Sequence, residues 1–145
     1  MNTRRLLLVF LTLLVVALPL LGQGKPKKSL FVNLTSDEVS RATMAVNVAH
    51  RVLTEKKIPV TIWLNVDGVR LVDKELIQNM YGDARTPLEK LQAFMFDGGK
   101  VLICPMCMKN VGGMNVSDLP KGLELSEMDI FWTTLFADDV RVLSY

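Results

Sequence analysis

Histidine occurs once in the 145 residues, at His50, and cysteine only twice, at Cys104 and Cys107. Two cysteines and one distant histidine do not make the four ligands of a structural zinc site. The sequence holds no Ser-His-Asp order, no glycine-rich phosphate loop, no paired-carboxylate pattern, no internal repeat and no low-complexity segment. It also lacks a lasting excess of positive charge. The formal charge is +2, and removing Arg4 and Arg5 from the 17 Lys+Arg leaves 15 against 15 Asp+Glu. Beyond residue 24 the chain is formally neutral, with Lys25, Lys27 and Lys28 as its only basic cluster, which excludes the basic face that a nucleic-acid partner requires.

Long apolar runs are missing too, with one exception. Arg4-Arg5 precedes an almost unbroken apolar stretch from Leu6 to Leu21, and Gly22-Gln23-Gly24 follows with small residues at the spacing a signal peptidase reads. Residues 1–24 are read as a secretory signal. The stretch is short beside the ~20 residues of a membrane span, although an uncleaved anchor is the alternative. Without a cysteine after Leu20-Leu21-Gly22 there is no lipoprotein site. Export to the periplasm or beyond puts both thiols where a disulfide is the default state. Residues 25–28 are a linker, and 29–145 suffice for one domain.

What remains alternates regularly. Leu30-Phe31-Val32-Asn33-Leu34 reads as a strand, and Thr35-Ser36-Asp37-Glu38 as a capping box opening a helix. Ala42, Ala45, Val46, Ala49, Val52 and Leu53 recur at three and four residues, giving that helix one apolar stripe. Met44 and Val48 lie off the stripe and mark a second contact such as a subunit interface. Val60-Thr61-Ile62-Trp63-Leu64 is too apolar for a strand with one wet face. Asn65-Val66-Asp67-Gly68 closes it as a turn, Val69-Arg70-Leu71-Val72 extends it briefly, and residues 73–85, polar and carrying Gly82, are a loop or a short irregular helix. Thr86-Pro87-Leu88-Glu89 opens a second helix, with Thr as cap, Pro at the first position and Glu three residues after the cap. Gly98-Gly99 ends it, and Lys100-Val101-Leu102-Ile103 is a third strand. After a loop at Asp118-Leu119-Pro120 and Gly122, Ser126 caps a helix through Phe136, and Val140–Ser144 is a last strand. Strands alternating with helices imply an α/β sandwich on a mainly parallel sheet of about five strands.

Both cysteines fall within Cys104-Pro105-Met106-Cys107-Met108-Lys109-Asn110-Val111-Gly112-Gly113, directly after the third strand. Pro105 suits the first turn of a helix, so Cys104 sits where strand passes into helix. The positive end of the helix dipole predicts that it ionises more readily than a free thiol at ~8.5. In parallel sheets ligands bind outside the carboxyl ends of the strands, which predicts one pocket lined by Thr35, Ser36, Asn65, Asp67, Gly68, Pro105 and the thiols.

These residues resemble the DsrE/DsrF-like family of small sulfur-handling proteins, including its YchN-like members. The likeness lies in the opening strand with Thr35-Ser36-Asp37, in Asn65-Val66-Asp67-Gly68-Val69, in the spacing of Cys104 to Gly112, and in the closing Val142-Leu143-Ser144-Tyr145. It covers residues 29–145. The resemblance implies a three-layer α/β/α sandwich that assembles as a homo-oligomer, a trimer or hexamer. It implies also that Cys104 carries persulfide sulfur between a donor and an acceptor protein, that Cys107 matches the second cysteine of YchN-like members, and that no cofactor is needed. Val111 stands where relay members often carry a basic residue.

Other readings of the pair remain open. A disulfide closing roughly four residues gives only ~2 kcal/mol by chain entropy, a weak reason to keep one. A thiol with a partner three residues on also suits thiol–disulfide exchange, the second cysteine resolving what the first has bound. Cys104, Met106, Cys107, Met108 and Met114 crowd soft sulfur ligands into eleven residues, as a Cu(I) site would. His50, at the margin of the first helix's stripe, is read as a boundary residue.

Overall fold

The structure, a computed structural model, describes residues 28–145. The signal reading, and with it residues 25–27 of the linker, lies outside the described residues. No helix among them is long and apolar enough to cross a membrane.

The chain begins with β1 (Ser29–Leu34), α1 (Val39–Lys56) and β2 (Val60–Leu64), then a 3-10 helix over Val66–Val72. Next come α2 (Pro87–Phe96), β3 (Lys100–Ile103), α3 (Pro105–Asn110), a short 3-10 turn at Val116–Asp118, β4 (Glu124–Leu125), α4 (Met128–Leu135) and β5 (Val140–Ser144). All five strands are parallel, in the order β4-β3-β2-β1-β5. The expected α/β sandwich is present.

Alternate residues of each strand serve the two faces. Leu30, Val32, Leu34, Ile62, Leu64, Val101 and Ile103 form the buried core with the Ala42-Ala45-Val46-Ala49 stripe of α1 and with Leu91 and Phe94 of α2. Three alanines in that stripe let the helix axis approach the sheet closely. The opposite face is covered by α4 through aromatic contacts: Phe131 lies 4.2 Å from Trp63 and 6.0 Å from Phe31 between ring centroids. Helices on both faces make the three layers.

The Thr86 capping box forms as expected: Thr86 Oγ1 accepts from Glu89 N, and Glu89 Oε2 accepts from Thr86 N. The box expected at Thr35 and Glu38 does not. Glu38 is itself the cap of α1, its carboxylate accepting from the backbone N–H groups of Ser40 and Arg41, and those bonds with the Ser40 hydroxyl hold it below the usual carboxylate range. Thr35 is drawn away because it must close β1 against the end of β5. Val69–Val72, expected as a strand extension, belongs to the 3-10 helix, which buries Val69, Leu71 and Val72 against the sheet end. Its apolar residues fall at intervals of two and one, a spacing that mimics a short strand. Ser126, expected as a helix cap, instead donates its backbone N–H to Ile103 O and is buried. This extends the ladder of β4, a two-residue strand hidden within an expected loop.

Candidate dithiol site

In a parallel sheet the four long strands deliver their last residues to one edge, about 4.8 Å apart from strand to strand. That edge reads Cys104, Asn65, Thr35 and Tyr145 across β3, β2, β1 and β5. Cys104 is pinned there by its backbone, whose N–H donates to Leu64 O at 2.9 Å, while its carbonyl accepts from Met108 N at 2.9 Å. Pro105 has no N–H to waste at the first helical position. Cys104 is therefore the cap of α3, and its Sγ accepts the N–H of Cys107 at 3.4 Å. Both cysteines are free and half-buried.

The electrostatic expectation for Cys104 is reversed. Burial pushes its thiol above the ordinary range, the neighbouring Cys107 side chain pushes it further, and the Cys107 N–H only partly offsets this. A helix of six residues gives little dipole to set against desolvation. Cys104 is thus less acidic than the dipole argument expects.

The sulfur-rich stretch divides between core and surface. Met108 and Met114 are buried in the core, whereas Met106 is 69% exposed. Of the three methionines in the stretch read as a copper alternative, two are thus core residues and one is a surface residue. Among the described residues no three His, Cys, Asp or Glu are grouped to hold a metal ion. Gly112 lies against Met114, where an added Cβ would stand 2.6 Å from its Cε.

The other strand-end residues share the edge but are occupied in closing the fold. Thr35 Oγ1 donates to Tyr145 O at 2.7 Å, Ser36 Oγ accepts from Glu38 N at 3.1 Å, and buried Asn65 donates to Asn33 Oδ1 at 2.7 Å. Gly68 packs beneath Leu34 O, and Asp67 lies 3.8 Å from Arg70. Two cavities open nearby. One of 290 Å³ lies between Asp37, Arg70, Gln78 and Asn79, and another of 230 Å³ between Glu75, Gly112 and Asp118. Neither is lined by a cysteine, so the single pocket expected from strand ends is not formed by either. Arg70, 3.7 Å from Asp37, was not singled out by sequence reasoning; it lies in the run taken for a strand extension.

His50 Nε2 pairs with Asp97 Oδ2 at 2.6 Å and its ring stands edge-on to Phe94, so it is a satisfied boundary histidine.

What this arrangement offers is a pair of half-buried thiols within one helical turn, lining neither of the two nearby cavities. A dithiol so placed can meet another macromolecule or a small sulfur compound directly. No family model matches the chain, and no curated protein matches it. Among the solved structures similar to it, the crystal structure of the YchN protein from E. coli has a TM-score of 0.61 at 19% identity, over 82% of this chain and 99% of that one. The protein of unknown function MTH1491 from Methanobacterium thermoautotrophicum has a TM-score of 0.64 at 11% identity, over 81% and 99%. Residues 28–145 have the fold of these two proteins.

Proposed function

We propose that Cys104 and Cys107 form the working site of an exported DsrE-like protein, a surface dithiol that takes up sulfane sulfur as a persulfide or exchanges with disulfides. The observation that carries this reading is the 3.4 Å approach of the Cys107 N–H to Cys104 Sγ, with both thiols free at the end of β3. Fold likeness to the YchN protein, together with the order of the Thr35, Asn65-Asp67-Gly68, Cys104 and Tyr145 motifs, supports the family placement. In the uptake step a protein thiol loses its proton to solvent, and the thiolate attacks the outer sulfur of a persulfide. The donor's S–S bond breaks, its thiolate leaves, and the protein holds Cys–S–SH.

Uptake is tested by treating the reduced chain with glutathione persulfide and reading intact mass for the parent and the two single Cys→Ser variants. At least one single variant gains about 32 Da. Absence of any adduct, sulfide or disulfide in all three would end the proposal.

Two further parts of this reading concern delivery and assembly. Export is followed by cleavage after Gly24, which N-terminal sequencing of the protein outside the cytoplasm detects; recovery of intact Met1 in membranes would mean an anchored protein. The domain self-associates, and exposed Met44 of α1 is a contact position to probe. Sedimentation showing a monomer at micromolar concentration would remove the assembly.

A further inference from the structure

We infer that this site discharges sulfane sulfur as sulfide instead of carrying it, a persulfide on one cysteine being resolved by the other. The inference rests on the dithiol reading above and adds the fate of the sulfur. A carrier must hold its persulfide until an acceptor arrives, so it needs a sulfur with no nucleophile in reach. Here the opposite is built in.

Cys104 is the cap of α3 and Cys107 the third helical residue. The cap side chain turns onto the third residue's N–H, and the third residue's side chain is in turn close enough to bear on the Cys104 thiol as a hydrogen-bond partner. The first half is seen directly in the 3.4 Å contact of Cys107 N with Cys104 Sγ. Both thiols are partly open and neither is already bridged. A reaction between groups held this way gains the large effective concentration of an intramolecular step, with little chain left to order.

The surroundings act in the same direction. A bound persulfide is an anion near neutral pH, and burial at Cys104 already disfavours negative charge on that sulfur.

The step balances without a further reagent. The Cys107 thiol gives its proton to solvent, and its thiolate attacks the Cys104 sulfur of Cys104–S–SH. The new Cys104–Cys107 bond forms as the bond to the terminal sulfur breaks, and that sulfur departs as HS⁻. The two cysteines lose two electrons and the sulfane sulfur gains them. Another round needs an external dithiol to reduce the bridge.

The experiment uses the purified full chain, reduced, desalted and given one equivalent of glutathione persulfide. Released sulfide and intact mass are followed for the parent, Cys107→Ser, Cys104→Ser and the double variant, the last giving the background. The parent is expected to release about one sulfide per chain and to end about 2 Da lighter than its reduced form. Cys107→Ser should remain about 32 Da heavier and release no sulfide above background. A parent that keeps the extra mass as stably as Cys107→Ser overturns discharge while leaving uptake intact. A chain that reacts in none of its forms overturns the uptake reading, and this inference with it.

Discussion

Thr35 Oγ1 donates a 2.7 Å hydrogen bond to the carbonyl of Tyr145, the last residue of the chain. The same carbonyl accepts the Thr35 N–H at 2.9 Å, while Tyr145 N donates to Asn33 O. The end of the sequence is thereby fastened to the end of its first strand. On this account β5, an edge strand with exposed residues, depends on the strand ladder and this clasp more than on burial. Thr35→Val keeps the backbone bond and removes the hydroxyl. It should cost about 1 kcal/mol in urea unfolding and speed amide exchange in β5 first. Unchanged exchange there would show that the hydroxyl contributes nothing to holding the strand.

Gly68 is required by proximity, not by a special backbone angle. A Cβ at this position would stand 2.3 Å from Leu34 O and 3.0 Å from Leu34 C, both backbone atoms that cannot rotate aside. Gly68→Ala should lower stability by about 1–3 kcal/mol through displacement of the 3-10 helix from the end of β1. A neutral result in chemical denaturation would mean that this close approach is relaxed in solution.

Where local chemistry decides structure, the sequence was readable. Thr86-Pro87-Leu88-Glu89 holds every part of a helix start within four residues, and the Ala42 to Ala49 stripe has one helical face, so both were legible. Thr35-Ser36-Asp37-Glu38 has the same Thr and Glu at the same spacing, yet tertiary demand takes Thr35 for Tyr145. A two-residue strand such as Glu124–Leu125 has no periodicity to detect; it exists because the edge of β3 is there to pair with. At the site, the position of Cys104 between strand and helix followed from Pro105 and the β-branched run before it. Its acidity did not, because burial is a packing effect and the neighbouring Cys107 side chain opposes ionisation, and a dipole argument omits both.

The proton on Cys104 gives a prediction with a definite sign. Burial comes first among the causes that raise its titration, followed by the Cys107 side chain, while the Cys107 backbone N–H acts the other way. Cys107→Ala removes both raising influences in part and retains the N–H. Cys104 should therefore ionise at lower pH in the variant, so its iodoacetamide labelling curve should move toward acid relative to the parent. A curve moving toward alkali would show that the side chain of Cys107 stabilises the Cys104 thiolate.

Acid should loosen the loop ahead of α2. Asp83 pairs with the buried Lys90 and with Arg85, and these bonds lower its carboxyl to about 2. A carboxylate depressed in the folded state adds stability above its ordinary value near 3.8, and that stability is lost as pH falls toward about 2. Asp83→Asn should thus lower the melting temperature at pH 6 and flatten its decline between pH 4 and 2. Parallel curves for variant and parent would remove Asp83 from the account of acid sensitivity.

The claim that Cys104 and Cys107 act as one chemical unit is tested most directly by equilibrating the chain across a series of reduced and oxidised glutathione ratios. Acid quenching and intact mass then count the species. One two-electron transition is predicted, from the free dithiol to a form about 2 Da lighter, with mixed glutathione adducts rare at equilibrium in the parent and abundant in Cys107→Ser. Independent glutathionylation of the two cysteines, with no bridged form at any ratio, would contradict it.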